Sequence, residues 1–383
     1  MPLNRPTAVI GSAIMVPILS ERRSLEEILY EVAQAALKSA GIPIEDIDGI
    51  LVASNDQVDG RAISIMAASG SVGGVDRDIL STPSAGEHAF VMGVLRIASA
   101  HFETQLVVSW GVTEASSLSE VERLGADPYF HRRLPLDDLS SFALQANALT
   151  NAHPQASELA AKLVEQNRHR GAKAYPEATG PVETAKEIAA SKAVRWPVRE
   201  AMMRTPTTGA VALVLASEDY VKKAGITNPA WMRGMGWATE AAFLGDRDLT
   251  AATALQEAAR QAFADAGIAS IKEIDVAEIS AATPYQELLA YQALGIAEPA
   301  QWAEVVSAEH AHPTLNLSGG VASINPVFCG GLVRIAEAAN QIMGTAGKHQ
   351  AANVTTALAH ATSGPAMMYQ TVVVFGSNLG GTQ

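Results

Sequence analysis

The sequence predicts an α/β protein built from two copies of one unit, with an irregular segment between them, and three observations carry that reading. The first is a repeated order of elements. Residues 24–54, SLEEILYEVAQAALKSAGIPIEDIDGILVAS, run from an N-capped amphipathic helix through an Ala-Gly-Ile stop into an apolar strand. Residues 253–282, TALQEAARQAFADAGIASIKEIDVAEISAA, repeat that order, again with an acidic connector containing Ile-Asp. The second is a small-residue helix that follows each copy, GVLRIASA from Gly93 and GLVRIAEA from Gly331. A turn of Gly, Ser and Pro precedes it both times, TPSAG in the first copy and LSGG…NP in the second. A helix buried by its glycines and alanines, with its N-terminus at a polar turn, offers backbone N–H groups to an anion or a developing oxyanion. The third is a shift to polar, irregular composition over residues 117–205, which holds Arg132, Arg133, Lys162, Arg168, Arg170, Lys173, Lys186, Lys192, Arg195, Arg199 and Arg204.

With 383 residues and 48% hydrophobic content, the chain buries a large core. Its formal net charge of −13 excludes a nucleic-acid binder, since neutralising phosphates needs basic surface. An anionic small ligand needs local cations, and the inserted segment is where they concentrate; the same charges also suit a solvated loop domain. The single cysteine, Cys329, excludes a disulfide framework and a Cys-built zinc site, so no metal is expected, and it fits a reducing cytoplasm. The apolar run AVIGSAIMVPIL, residues 8–19, reads as a buried strand because Ser-Glu-Arg-Arg follows it without a cleavage pattern. No other stretch reaches the roughly 18 to 20 apolar residues of a membrane helix.

Further segments sharpen the picture: EQNRHRGAKAYPEA at 165–178, TPTTGAVALVLAS at 205–217, LNLSGG…NP…GGLVRIAEA at 315–338 and HATSGPAMMYQTVVVFGS at 360–377. With these in order, nearly the whole chain resembles the thiolase superfamily, specifically thiolase-like proteins related to sterol-carrier-protein type thiolases. The resemblance implies a thiolase fold: two duplicated halves, each with a five-stranded mixed sheet, buried helices between them, and a loop domain that holds coenzyme A as part of an acyl-CoA substrate. It also implies a homodimer. The corresponding boundaries are 1–116 for the first part of the N-terminal half, 117–205 for the loop domain, 206–235 for return strands of that half, and 236–383 for the C-terminal half.

The family's catalytic residues are missing where they are expected. The turn that carries a nucleophilic Cys in the family reads Thr82-Pro83-Ser84-Ala85-Gly86, which puts Pro83 or Ser84 in that column. The His of the family's G-H-P turn matches Asn325, and the second Cys matches Ala361 or Thr362. The loop beside the thioester, SAATPYQE at 280–287, has no His. Asn keeps a hydrogen-bond donor while removing the proton acceptor, so Asn325 reads as an oxyanion-hole residue. Ser84 as a replacement nucleophile lacks a matched His to deprotonate it. Cys329, near the start of the second buried helix, is either a thiolate favoured by the helix N-terminus or an inert packing residue. His360 is the remaining imidazole for proton transfer, or a structural His. Glu87 falls on the first turn of the first buried helix as a cap or a base. Tyr285 is a phenolic acid or an ordinary loop tyrosine. Asn316, Ser318, Gly319 and Gly320 form a turn that either binds the thioester or pantetheine through its backbone or only serves the chain's own positive φ. Arg168, Arg170 and Arg204 are the loop-domain cations assigned to coenzyme A.

Three functions remain open. One is carbon–carbon cleavage or formation at an acyl-CoA without a covalent acyl-enzyme, in which a retro-aldol needs only an oxyanion hole and one base. Some relatives implied by the resemblance work this way beside a small zinc-ribbon/OB-fold partner, though their Tyr-Asp-His-Phe loop is not found here. The second is a non-catalytic subunit that binds acyl-CoA or scaffolds a Cys-bearing thiolase subunit. The third is an acetyl-CoA acetyltransferase with a rearranged site.

Overall fold

A computed structural model describes residues 5–15, 23–60, 63–113, 117–129, 131–308, 311–326 and 328–380. Its strands are β1 (Thr7–Ile14), β2 (Gly49–Ala53), β3 (Asp78–Thr82), β4 (Thr104–Gly111), β5 (Ala193–Arg195), β6 (Val198–Arg199), β7 (Gly209–Ser217), β8 (Ala230–Thr239), β9 (Val276–Ile279), β10 (Thr314–Leu315), β11 (Thr356–Ser363) and β12 (Tyr369–Gly376). The apolar N-terminal run is the strand β1 as far as Ile14; its residues 16–19 lie outside the described residues.

Among the described residues, the main sheet has ten strands in the order β10-β9-β11-β12-β8-β1-β7-β4-β2-β3. Each half contributes five. In the first, β2 pairs parallel with β3 and β4, and β7 pairs antiparallel with β4 and β1. In the second, β9 pairs parallel with β10 and β11, and β12 pairs antiparallel with β11 and β8. The duplication is therefore topological as well as sequential. The halves join edge to edge where Ala8 pairs with Trp231 and Val9 with Ala230, giving one continuous sheet. Because β8 starts at Ala230, the C-terminal half begins ahead of residue 236.

The local signals explain the outer helices. In Leu25–Ala40, Ser24 and Glu27 form a capping box, and Gly41 closes the helix at φ 69. The partner helix Thr253–Ala266 ends likewise at Gly267, φ 66. Between the half-sheets lie the two inner helices, Gly86–Ala98 and Gly330–Met343, which share one core with residues such as Leu51, Leu213, Val373 and Phe375. Their first turns touch. Gly86 N–H donates to Phe328 O at 2.9 Å, and a Cβ on Gly86 would stand 2.8 Å from Leu332 Cβ. A Cβ on Gly331 would run into the Glu87 carboxylate and come within 2.7 Å of Ala361 Cβ. Only glycine permits that approach.

Two knots of buried charge fix the second half. Glu278 on β9 and Arg334 on the second inner helix are both fully buried, 3.4 Å apart. Ser318 lies between them: its Oγ donates to Glu278 Oε2 at 2.5 Å and accepts from Arg334 Nη1 at 2.5 Å, while its N–H donates to Glu278 Oε1 at 3.0 Å. Glu287 accepts from Asn167 and Asn316 Nδ2, each at 2.7 Å, and from the Tyr291 hydroxyl at 2.8 Å. Burial pushes both carboxyls up, against the pull of these partners. Among the described residues, no helix is long and apolar enough to cross a membrane.

Arg334→Met leaves Glu278 without its cation in a dry interior, and is expected to lower unfolding stability by about 3–5 kcal/mol. Chemical denaturation measures this, and an unchanged midpoint would mean that the pair does not hold the second half together.

Candidate active site

The starts of both inner helices open onto one cavity of ≈ 500 Å³. Its wall includes Ala85 and Glu87 from the first inner helix and its cap, Asn325, Pro326, Phe328, Gly330 and Gly331 from the second and the turn before it, and Thr362, Ser363 and Gly364 from the end of β11. Ser280, Ala282 and Gln286 close it behind β9, and Asn55 and Gln57 behind β2. The inserted segment supplies the outer wall through Glu122 on the helix Leu118–Gly125, Asp137 and Asp138 at the start of the helix Asp138–Ala152, and Met203.

Glu87 is 1% exposed, and both its carboxylate oxygens lack a hydrogen-bond partner. A buried acceptor pair left open in this way is expensive unless a ligand or solvent completes it. Asn325 donates from Nδ2 to Arg204 O at 3.0 Å, which leaves the second Nδ2 hydrogen for a ligand. The helix Gly330–Met343 has no side-chain cap, so its first N–H groups are available at the cavity. Phe328, beside them, holds a left-handed backbone at φ 60, a strained state for a bulky residue.

On the outer wall, Glu122 Oε2 accepts from Asp138 N–H at 3.0 Å. Burial and then the Asp138 charge push Glu122 up to about 8, and burial pushes Asp138 up to about 6. Burial also works against Asp137, but bonds from Ser140 and Ser119 outweigh it and keep its pKa below the usual range.

Several sequence candidates stand elsewhere. Cys329 is fully buried, its thiol donates to Gly209 O at 3.5 Å, and burial drives its pKa far up, so the helix terminus does not yield a thiolate. His360 is fully buried on β11, where Nε2 meets Gln370 Oε1 at 2.7 Å and burial lowers it to about 4. Tyr285 is 2% exposed inside the outer core of the second half, and burial raises its pKa. Ser84 does have an imidazole partner, contrary to expectation: His88 Nδ1 lies 2.5 Å from its Oγ, one helical turn on. The pair packs toward Tyr369, whose ring meets His88 edge-on at 5.5 Å, and neither residue lines the cavity.

The expected coenzyme A turn is likewise internal. Asn316 is buried at φ 46 with Oδ1 accepting from Ile279 N–H, Ser318 is held by Glu278, and Gly319 packs on Gly171. Gly320, at φ 61, donates its N–H to Ser318 Oγ at 3.3 Å. Arg168 is 3% exposed and spends its guanidinium on Glu183 and the carbonyls of Ala201 and Ala322. Arg170 donates to Asn167 Oδ1 at 3.3 Å, and Arg204 to the Ala178 carbonyl. The residues that sequence reasoning missed are Glu122, Asp137 and Asp138. The only available signal was an acidic D-D-L-S-S start to a helix within a basic segment.

Comparison with known proteins agrees with this fold. Residues 237–377 match the family described as thiolase C-terminal domain-like. The chain is 26% identical over 215 residues to the benzoylsuccinyl-CoA thiolase subunit BbsB of Thauera aromatica, covering 55% of each chain. It is 31% identical over 187 residues to sterol carrier protein 2 of Homo sapiens, covering 45% of this chain and 34% of that protein. The matches thus span about half or less of these relatives' own length. Among solved structures, an Ltp2-ChsH2(DUF35) aldolase superposes with a TM-score of 0.81 at 16% identity, covering 98% of this chain and 99% of that one. A monomeric SCP2-thiolase like protein type 1 from Mycobacterium smegmatis gives 0.76 at 17% identity, covering 99% and 78%. Human mitochondrial 3-ketoacyl-CoA thiolase in complex with CoA gives 0.73 at 17%, covering 99% of each. The chain therefore has the thiolase fold, its residues 237–377 match the thiolase C-terminal domain-like family, and part of it is similar in sequence to sterol carrier protein 2.

Proposed function

We propose that the protein acts on an acyl-CoA thioester and breaks or forms a carbon–carbon bond without a covalent acyl-enzyme, in the retro-aldol sense on a β-hydroxyacyl-CoA. The observation that carries this reading is Glu87, an unpartnered buried carboxylate packed against Gly331 at the uncapped start of the second inner helix, in a cavity that Asn325 also lines. In cleavage, Glu87 takes the hydroxyl proton, the Cα–Cβ electron pair moves to the thioester as an enolate, and a carbonyl product leaves. Asn325 Nδ2 and the Gly330–Gly331 N–H groups hold the enolate oxygen. A proton delivered to Cα then completes the acyl-CoA product.

The similarity to an aldolase named with a DUF35 chain supports a small partner subunit, and the similarity to a thiolase–CoA complex supports coenzyme A as the carrier. The exposed edge of β3 is where a second copy would pair in a homodimer. The CoA phosphates are assigned to the outside of the insertion, where exposed Lys192 and Arg195 flank Trp196, not to the internal Arg168.

Incubation with radiolabelled β-hydroxyacyl- and β-ketoacyl-CoAs, with and without a co-purifying small partner, separates the possibilities. Carbonyl release without acid-precipitable label is expected, with Glu87→Gln lowering turnover by about 10²-fold or more while CoA binding persists. Covalent label lost in Ser84→Ala would sink the non-covalent mechanism, and binding without any turnover would mark a non-catalytic subunit. In the native protein Cys329 is expected to resist a thiol-titrating reagent, and to react once the chain is unfolded in guanidinium. Rapid native reaction would reopen a thiol mechanism.

A further inference from the structure

We infer that the acyl end of this cavity selects neutral, hydroxyl-bearing acyl groups and rejects acyl groups that carry a second carboxylate. The inference rests on the acyl-CoA reading above and adds the class of acyl group to it. The wall facing the acyl group presents Glu122, Asp137 and Asp138 from the insertion and Glu87 from the inner helix, and no Lys or Arg lines the cavity among the described residues. Arg195 is exposed and does not line the cavity; its Nε reaches Ser140 Oγ at 3.5 Å, and its charge adds to the bonds that keep the Asp137 pKa low.

Two features make this more than a patch of acid. Asp137 is pinned as an acceptor: Oδ1 takes Ser140 N–H at 2.8 Å and Ser140 Oγ at 2.6 Å, and Oδ2 takes Ser119 Oγ at 3.0 Å. Glu87, 1% exposed and without partners, has unmet acceptor capacity at the same cavity. A hydroxyl satisfies such a site by donating to a carboxylate and accepting from whichever of Glu122 and Asp138 holds a proton, and their raised pKa values keep protons available there. A carboxylate has no proton to donate to Asp137, whose oxygens are already held as acceptors by Ser140 and Ser119, and it finds no Lys or Arg in the described cavity wall to receive it, so it is disfavoured.

Isothermal titration of the full chain with three matched ligands tests this: hexanoyl-CoA, 6-hydroxyhexanoyl-CoA and adipoyl-CoA, with the corresponding butanoyl and octanoyl sets to vary reach. The hydroxyl-bearing ligand is expected to bind at least as tightly as the plain acyl-CoA, and the carboxylate-bearing one about tenfold or more weaker at one chain length or more. Asp137→Asn combined with Asp138→Asn is expected to shrink that gap. Equal wild-type affinities at every chain length would overturn the inference and leave acyl-CoA binding intact, and this arm needs no variant to fold. A gap that persists in a folded double variant would overturn its assignment to this wall. Failure of every acyl-CoA to bind would overturn the acyl-CoA reading itself, and this inference with it.

Discussion

The position of the Gly-rich turn in the second half is set by carboxylates that never see solvent. Ser318 is clamped between Glu278 and Arg334, and Asn316 between Glu287 and the Ile279 N–H. In so dry a place an ion pair needs further hydrogen bonds to offset its desolvation: Ser318 supplies one to each ion, while Arg334 Nε and Nη2 are left without a partner. The same helix carries the network on: Glu337 accepts from the Tyr175 hydroxyl of the insertion and from His349 Nε2 at 2.7 Å. Strand, turn, inner helix and insertion are thereby fixed to one another, and the cavity they enclose is defined by parts that do not move independently.

That rigidity has a chemical consequence at the inner helix starts. With Gly86 against Leu332 and Gly331 against Glu87, the two helix N-termini converge on one point. Backbone N–H groups held there need no reorganisation when negative charge develops, which is the condition under which an oxyanion hole is effective. Phe328, strained at φ 60 in the cavity wall, belongs to the same closely packed turn.

The fold was legible because its signals are local and occur twice. The Ser24 capping box, the Ala-Gly-Ile stops at Gly41 and Gly267, and the paired inner-helix sequences all act within a few residues. The register between copies was less so. Gly93 lies deep in the helix Gly86–Ala98, whereas Gly331 is the second residue of Gly330–Met343, because the second copy uses the preceding residues as a turn instead of helix. Among the candidates, Glu87 and Asn325 line the cavity, and their place beside those turns was readable. Asn316, Ser318 and Arg168 misled, since a polar residue consumed by a buried carboxylate looks the same in sequence as one offered to a ligand. Glu122, Asp137 and Asp138 reach the cavity only through the packing of the insertion, which no local pattern encodes.

The missing thiol and the gained acid belong together. A nucleophilic cysteine at a helix N-terminus works because the helix end and nearby cations lower its pKa. A buried carboxylate without partners on the first turn of that same helix does the opposite: it repels a thiolate and raises the pKa of any thiol in the column. Glu87 is such a group. The two arrangements compete for one location, and in the mechanism proposed above Glu87 stands where a nucleophile would otherwise be stabilised. Under that proposal position 325 needs only to donate a hydrogen bond, and the Asn325 amide does so at every pH.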